Sequence, residues 1–389
     1  MRFFTAILLA VSLVAPTLAS PTIALREVER YQGQTTGKYI VNFKKGASRR
    51  NWANKLKVKS TDEWDIVNGF AADLDEATLN ELRASKDVEL IAEDGVMEAF
   101  ATQTNAPWGL QRISQRARLS STSTTALTYT YNYDDSAGRG VDIYIVDTGI
   151  YTSHSDFGGR ARWGASFNNL GNSDGHGHGT HCAGTAAGTR YGVAKGANLI
   201  AVKVLSDSGS GATSGIVSGL NWVLSQARAS GRPSVVSMSL GGSTATTLDN
   251  AVASLTSAGI HVVAAAGNSN TNAANTSPAR APSAITVGAS TIGDVRSSFS
   301  NYGAVVDVFA PGTGVTSAWI GSTSATNNIS GTSMAAPHIA GLVAYLIGKD
   351  GNVSPAAMET KIKSLSTKSA LTSIPSGTVN NLAFNGITA

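Results

Sequence analysis

Cysteine is nearly absent from this sequence. Its 389 residues include one cysteine, Cys182, so no disulfide can form within the chain. Beyond the N-terminus the sequence also lacks apolar runs long enough to span a bilayer, which predicts a soluble protein with no membrane partner. The fold therefore has to be stabilised by packing or by a bound metal.

Charged residues are scarce, at 14% of the chain, and they are unevenly distributed. Residues 20–100 hold 12 Lys/Arg and 14 Asp/Glu, whereas residues 101–389, more than three times as many, hold 17 and 12. The two segments have net charges of −2 and +5, which predicts two domains that attract each other. The basic residues of the second segment form no run, and this argues against nucleic-acid binding.

The N-terminus resembles a secretion signal. Residues 1–19 contain Arg2, an apolar run and small residues ending at Ala19. This pattern predicts a signal peptide, and hence a secreted, extracellular protein. The alternative, a membrane-anchor helix, is disfavoured because the apolar run is too short to cross a bilayer.

Two patterns of secondary structure follow. In residues 20–100, strands at 38–43, 70–74 and 88–92 alternate with helices at 49–58 and 76–85, which predicts a small α+β domain. Residues 101–389 alternate buried strands with small-residue helices, which predicts an α/β fold with a mostly parallel central sheet and helices on both faces. The predicted strands are 141–146, 198–204, 235–240, 260–265, 284–287 and 306–309, and the predicted helices are 180–187, 211–228, 247–258 and 333–347.

Three polar residues lie where strands end or helices begin. Asp147 closes a buried apolar strand, at the sheet edge where α/β proteins place their sites. His178 lies in the glycine-rich run DGHGHGTH at residues 174–181, and Ser333 lies in GTSMAAPH at residues 331–338. On its own, a serine at a helix start is most simply a helix cap.

Together these three residues suggest a nucleophile, a base and an orienting acid. A serine hydroxyl needs a base to remove its proton, neutral imidazole suits that task near pH 7, and a carboxylate fixes the imidazole tautomer. Asn268, which follows another buried strand, would donate an amide N–H to the oxyanion beside the backbone N–H of Ser333. The chain order Asp147, His178, Ser333 is the order found in subtilisin.

The motifs DTG at 147–149, HGTH at 178–181, Asn268 and GTSMA at 331–335 resemble the subtilisin superfamily of serine proteases, and in particular the secreted fungal proteinase K family. The resemblance extends over residues 105–380. It implies a monomeric serine endopeptidase of broad specificity that forms an acyl-enzyme on protein and peptide substrates. It also implies that residues 20–100 are an inhibitory propeptide and residues 101–389 the catalytic domain. An independent binding module is the alternative for residues 20–100.

Two glycine-rich segments, residues 209–211 and 239–242, resemble the edge segments that hold an extended peptide in this family. The first pocket would lie between residues 239–241 and 265–267, whose small, uncharged side chains predict a preference for an apolar or aromatic residue before the cut. Thr213 stands where the family often has a larger aromatic, which predicts a more open second pocket. The expected substrate-binding residues are Gly209, Ser210, Gly211, Ser239, Leu240, Gly241, Ala265, Ala266 and Gly267.

A protease that removes its own propeptide must cut at the propeptide's end. Phe100 followed by Ala101 fits the expected preference, so the maturation cut is predicted after Phe100. The resemblance further implies a structural calcium site made by the carbonyls of Pro282 and Ala284 and the carboxylate of Asp307. No cofactor is expected for catalysis.

Several alternatives remain open on the sequence. Cys182, one helical turn after His178, could form a Cys–His nucleophile pair, but Ser333 and Asn268 would then have no role. The cluster His176, His178 and His181 could bind zinc, although it lacks cysteine partners. An inactive binding or inhibitor protein on the same fold is one further alternative. An esterase is another, disfavoured because the Gly-x-Ser-x-Gly elbow is missing.

Overall fold

The computed structural model describes residues 25–31, 35–59, 62–96 and 100–387. The predicted signal peptide, residues 1–19, lies outside the described residues. The chain divides into two compact units, Met1–Glu98 and Ala99–Ala389. None of the helices in the described ranges is both long and apolar enough to cross a membrane.

The first unit is a four-stranded antiparallel sheet with two helices, and all five elements predicted for it are confirmed. Its strands are β1 (Thr35–Phe43), β2 (Asp62–Trp64), β3 (Gly69–Ala72) and β4 (Val88–Gly95), and its helices are α1 (Arg49–Leu56) and α2 (Glu76–Ala84). The strand order is β2-β3-β1-β4. Phe43 and Phe70 pack their rings 5.6 Å apart in its core. Sequence analysis missed β2 because it has only three residues, two of them acidic.

The second unit carries most of the secondary structure. Its strands are β5 (Phe100–Ala106), β6 (Tyr129–Asp134), β7 (Asp142–Asp147), β8 (Ala161–Ser166), β9 (Asn198–Lys203), β10 (Ser234–Met238), β11 (Gly242–Ser243), β12 (His261–Ala265), β13 (Thr276–Ser277), β14 (Ile285–Ser290), β15 (Val308–Pro311), β16 (Val315–Ala318), β17 (Thr326–Ile329), β18 (Thr367–Lys368) and β19 (Asn381–Leu382). Its helices are α3 (Trp108–Ile113), α4 (His178–Ala187), α5 (Thr213–Ser230), α6 (Thr246–Ser257), α7 (Thr332–Asp350) and α8 (Pro355–Leu365), with 3₁₀ turns at Ser155–Phe157 and Ala273–Asn275.

A nine-stranded sheet in the order β18-β19-β15-β14-β12-β10-β7-β9-β8 forms the centre of this unit. All its neighbouring strands run parallel except β18 and β19, so the predicted mostly parallel α/β fold is confirmed. Ile143 and Ile145 face the cluster that includes α4 and α7, while Tyr144 and Val146 face the cluster of α5 and α6. Burial on both faces explains why these strands read as continuous apolar runs.

Helix α7 passes through the middle of the core, and nearly all its residues up to Ile347 are buried. It contains Pro337, whose missing N–H leaves the carbonyl of Ser333, four residues earlier, without its helical partner. The core tolerates this proline because other side chains supply hydrogen bonds to that carbonyl, as described below.

A buried ion pair fixes α3 to the loop after β14. Arg112 is fully buried, and its guanidinium donates from Nε to Asp294 Oδ1 at 2.8 Å and from Nη2 to Asp294 Oδ2 at 3.2 Å. A bidentate pair of this kind leaves neither charge unpaired inside the protein.

Replacing Arg112 by Met should lower the free energy of unfolding by about 3–5 kcal/mol, because the Asp294 carboxylate is then buried without its partner. Arg139→Met is the matched control. It removes a pair with Asp135 in which both side chains are about 70% exposed, so it should change stability by less than about 1 kcal/mol. Denaturant unfolding measures both changes. Equal effects of the two substitutions would contradict a special contribution of the buried Arg112–Asp294 pair to stability.

Candidate active site

The carboxyl ends of β7, β10 and β12 meet at one edge of the sheet, where parallel strands deliver their following residues. Asp147 ends β7, and Asn268 follows β12 by three residues. His178 begins α4 and Ser333 is the second residue of α7. Residues far apart in the chain therefore gather at this edge.

Asp147 and His178 form a direct pair. Asp147 is fully buried, and its Oδ1 lies 2.7 Å from His178 Nδ1 and accepts from the backbone N–H of Thr148 at 2.7 Å. Because an ionised carboxylate only accepts hydrogen bonds, we assign the ring proton to Nδ1. Nε2 of His178 is then left as the basic nitrogen.

The pKa of His178 is raised well above its ordinary value of 6.5. Burial is the largest single influence and lowers the pKa, but the charge of Asp147, its hydrogen bond to the ring and the contribution of Cys182 together outweigh it. Burial also raises the pKa of the Cys182 thiol, whose sulfur lies 4.0 Å from His178 Nδ1. The Asp147 carboxylate is therefore the group that most favours the protonated ring.

A second buried carboxylate, Asp174, fixes the start of α4. Its Oδ1 accepts from the Thr148 hydroxyl at 2.8 Å and from the backbone of Gly177 at 2.8 Å, and its Oδ2 accepts from the Thr180 hydroxyl. Gly179 allows the two segments to approach closely, since a Cβ there would lie 2.1 Å from the backbone oxygen of Gly149. Asp174 thus ties the segment after Asp147 to the helix that carries His178.

Ser333 lies beside the same pair. Cys182 Sγ is 4.0 Å from His178 Nδ1 and donates to the Ser333 carbonyl at 3.4 Å. The Ser333 hydroxyl donates to the Ser239 carbonyl at 3.2 Å and not to the His178 ring. In unliganded sites such catalytic hydrogen bonds are commonly unmade until substrate binds.

The Ser333 carbonyl receives two side-chain hydrogen bonds in place of the one that Pro337 removes. Ser239 Oγ donates to it at 2.8 Å, and Cys182 Sγ donates at 3.4 Å. Ser239 and Ser333 are therefore joined by reciprocal hydroxyl-to-carbonyl bonds. We conclude that Ser239 positions the first turn of α7.

The amide of Asn268 is oriented by Thr332. Its Oδ1 accepts from both the backbone N–H and the hydroxyl of Thr332, each at 2.8 Å, so the NH₂ group is left to face a ligand. The neighbouring Gly267 has φ +103°, and a Cβ there would lie 2.4 Å from the amide nitrogen of the buried Asn301. Asn301 also accepts from the backbone of Ser269, which holds the loop around Asn268.

These groups open into a cleft of about 850 Å³. Eight of the nine expected substrate-binding residues line it, as do Thr213, His178, Ser333 and Asn268. Ala266 does not line the cleft, because it is fully buried and its carbonyl accepts from Asn301 Nδ2. His176 also lines the cleft, a position that sequence analysis treated only as a metal candidate.

The sequence could have indicated Thr148 and Thr332, which stand inside the DTG and GTSMA motifs. Asp174 could have been indicated in the same way, because it opens the run at 174–181 and two of its partners, Gly177 and Thr180, are only three and six residues away. The positioning role of Ser239 left no comparable signal, because its partner Ser333 is 94 residues away.

Two groups of residues offer possible metal ligands. Asp147, His178 and Cys182 are close enough to share an ion, but the carboxylate and ring are already bonded to each other. Of the expected calcium ligands, Asp307 has both carboxylate oxygens engaged: Oδ2 accepts from the backbone of Thr286 at 2.8 Å, and Oδ1 lies 2.6 Å from Lys363 Nζ. This carboxylate does not fit a calcium ion as it stands.

Asp147→Asn should lower the pKa of His178, since burial then acts on the ring without an opposing charge. In the unsubstituted protein the ring is protonated up to a pH above 6.5, so a neutral base becomes available only above that pH. Proton NMR titration of the histidine rings measures both values. His338, whose pKa burial lowers to about 4, should not change. An unaltered His178 pKa would contradict the pairing.

The family model for subtilases, Peptidase S8, matches residues 138–385. The alkaline serine protease ver112 of Corniculantispora psalliotae is 50% identical, over 98% of this chain and 98% of that protein. The cuticle-degrading protease of Metarhizium anisopliae is 47% identical, over 96% and 98%.

Among solved structures, that of a cold-adapted subtilisin-like serine proteinase superposes with a TM-score of 0.66 at 44% identity, covering 73% of this chain and 100% of that one. The family model covers most of the chain, and the two relatives match it over nearly its whole length. Both findings agree with the fold described above. The chain belongs to the subtilase family and is a subtilisin-like serine protease.

Proposed function

We propose that this protein is a secreted endopeptidase of broad specificity in which Ser333 is the nucleophile, His178 the general base and Asp147 the residue that orients it. The observation that carries the proposal is the 2.7 Å pair between Asp147 and His178 beside the start of α7, in an open cleft. Secretion rests on the predicted signal peptide at residues 1–19.

In the first step the Ser333 hydroxyl turns from the Ser239 carbonyl toward His178 Nε2 and attacks the substrate carbonyl carbon. The proton passes to Nε2, and Asp147 stabilises the imidazolium that results. The oxyanion accepts hydrogen bonds from the Asn268 amide and the Ser333 backbone N–H. One such donor contributes about 2.7–4 kcal/mol to transition-state stabilisation.

The intermediate then collapses. His178 gives its proton to the leaving amine, the peptide C–N bond breaks, and the acyl group remains on Ser333. Water repeats the sequence in the second half-reaction: His178 takes its proton, the carbonyl carbon is attacked, and Ser333 leaves with the proton restored. No cofactor takes part in these steps.

The cleft supports a broad preference for apolar or aromatic residues before the cut. Within the described residues, none of those that line it is Asp, Glu, Lys or Arg. Residues 209–211 and 239–241 lie on its walls, where their backbone groups would pair with an extended peptide. Backbone pairing binds a peptide without selecting most of its side chains. Proteins and peptides outside the cell are therefore the proposed substrates of this monomeric enzyme.

The first unit is proposed to be an inhibitory propeptide that the enzyme removes after Phe100. Support comes from the division between the units at Glu98 and Ala99, next to the proposed cut. Phe100 and Ala101 belong to β5, whose backbone pairs with Asp134 and Tyr133 in β6. Because a bond inside a paired strand cannot enter the cleft, we infer that this end of β5 must separate from β6 before the bond is cut.

Ser333→Ala should abolish casein hydrolysis, and a serine-directed sulfonyl inhibitor should do the same to the unsubstituted enzyme. This experiment distinguishes the proposal from its alternatives. An inactive binding protein would show no casein hydrolysis even without the substitution. If Cys182 were the nucleophile, casein hydrolysis would persist in the Ser333→Ala protein. An esterase would hydrolyse esters without cutting casein.

Ser239→Ala should lower kcat about tenfold with little change in KM, because the Ser333 carbonyl loses a hydrogen bond of about 1–1.5 kcal/mol. Pro337→Ala returns a backbone N–H to that carbonyl. The loss caused by Ser239→Ala should therefore be smaller in a Pro337→Ala background, as a double-mutant cycle on a peptide substrate would show. Equal losses in the two backgrounds would contradict this role.

N-terminal sequencing of the secreted enzyme should begin at Ala101 or within two residues of it. The Ser333→Ala protein, expressed alone, should instead begin after Ala19 and keep both units. A start far from Ala101 would show that the proposed cut is wrong. Normal processing of the Ser333→Ala protein would show that another protease performs it.

A further inference from the structure

The carboxylate of Asp307 lies just before β15, where α8 packs near the sheet. It is largely buried, with 12% of its side chain exposed. Oδ2 accepts from the backbone N–H of Thr286, and Oδ1 meets the ammonium of Lys363 at 2.6 Å. Its own backbone carbonyl accepts from Asn381 Nδ2 at 3.0 Å. Asp307 therefore joins β14, β19 and α8.

The ammonium of Lys363 has a second acidic partner on its own helix. Glu359, four residues earlier on α8, places Oε1 2.5 Å from Lys363 Nζ. An acidic residue four positions before a lysine is the favourable orientation on a helix. The ammonium thus lies between two carboxylates, one from the helix and one from the sheet.

A calcium ion at Asp307 would need carboxylate oxygens at 2.3–2.6 Å and six to eight oxygen ligands in all. Lys363 Nζ already occupies that distance from Oδ1. A bound calcium would have to displace the ammonium or bring two more positive charges beside it. A free ion loses translational freedom when it binds. The ammonium of Lys363 is already part of the chain and does not lose that freedom.

We propose that Lys363 takes the place of a metal at this site, so that an internal ammonium neutralises Asp307 and Glu359 and fastens α8 to the sheet without calcium. Two consequences follow. The stability of the protein should not depend on calcium through Asp307, and removal of the ammonium should expose an acidic pair that calcium can bridge.

The test compares thermal unfolding in chelator and in millimolar calcium. The parent is the full chain carrying Ser333→Ala, which removes self-digestion from the measurement. Lys363→Ala is introduced into it, and Lys363→Met keeps the apolar stem as a second variant. Lys361→Ala is the matched control, because Lys361 lies on the same helix and pairs with Asp350. Asp307→Asn removes the proposed acidic partner.

We expect Lys363→Ala and Lys363→Met to have a lower Tm than the parent in chelator and to recover most of the loss in calcium. Lys361→Ala should show only the parent's response to calcium, and Asp307→Asn should abolish the recovery in the double variant. The proposal is overturned if the Lys363 variants respond to calcium no more than the parent does. It is equally overturned if Asp307→Asn reduces a calcium response of the parent itself.

Discussion

The hydrogen bond between Asp147 and His178 is the interaction on which the site depends. Its acid is fixed at the end of a strand in the middle of the sheet, between β10 and β9, where both faces are covered by helices. Its base is fixed at the first residue of α4, which Asp174 ties to the segment after Asp147. Buried negative charge then raises the pKa of His178 and selects its tautomer. The parallel sheet therefore fixes the geometry of the pair, and burial strengthens its electrostatics.

The position of the nucleophile depends on a hydrogen bond that is missing from helix α7. Pro337 removes the hydrogen bond that the Ser333 carbonyl would receive within α7, and the hydroxyl of Ser239 and the thiol of Cys182 replace it. These donors come from the substrate-lining segment after β10 and from the helix that carries His178. The first turn of α7 is thereby joined to both the cleft wall and the base. The single cysteine of the chain takes part in this arrangement as a neutral donor, since burial raises its pKa.

The sequence was sufficient to predict the parts that leave a periodic or local signal. Continuous apolar runs marked the central strands, and short motifs marked Asp147, His178 and Ser333. The sequence did not predict strand β8 (ARWGAS), because its small and polar residues show no strand pattern. It did not predict α8 either, although Ser354 caps that helix. The roles of Ser239 and of the Asp307 to Lys363 pair depend on contacts across 94 and 56 residues. Contacts of that span follow from the folded topology and not from any local pattern.

The central claim is that Asp147, His178, Ser333 and Asn268 act as one unit on a substrate carbonyl. A crystal structure of the mature enzyme with a peptide boronate tests it most directly, because the tetrahedral boron imitates the intermediate. The account predicts a bond from boron to Ser333 Oγ, with one boronate oxygen about 3 Å from the Asn268 amide nitrogen. Boron bound to another side chain, or an oxygen directed away from Asn268, would contradict it.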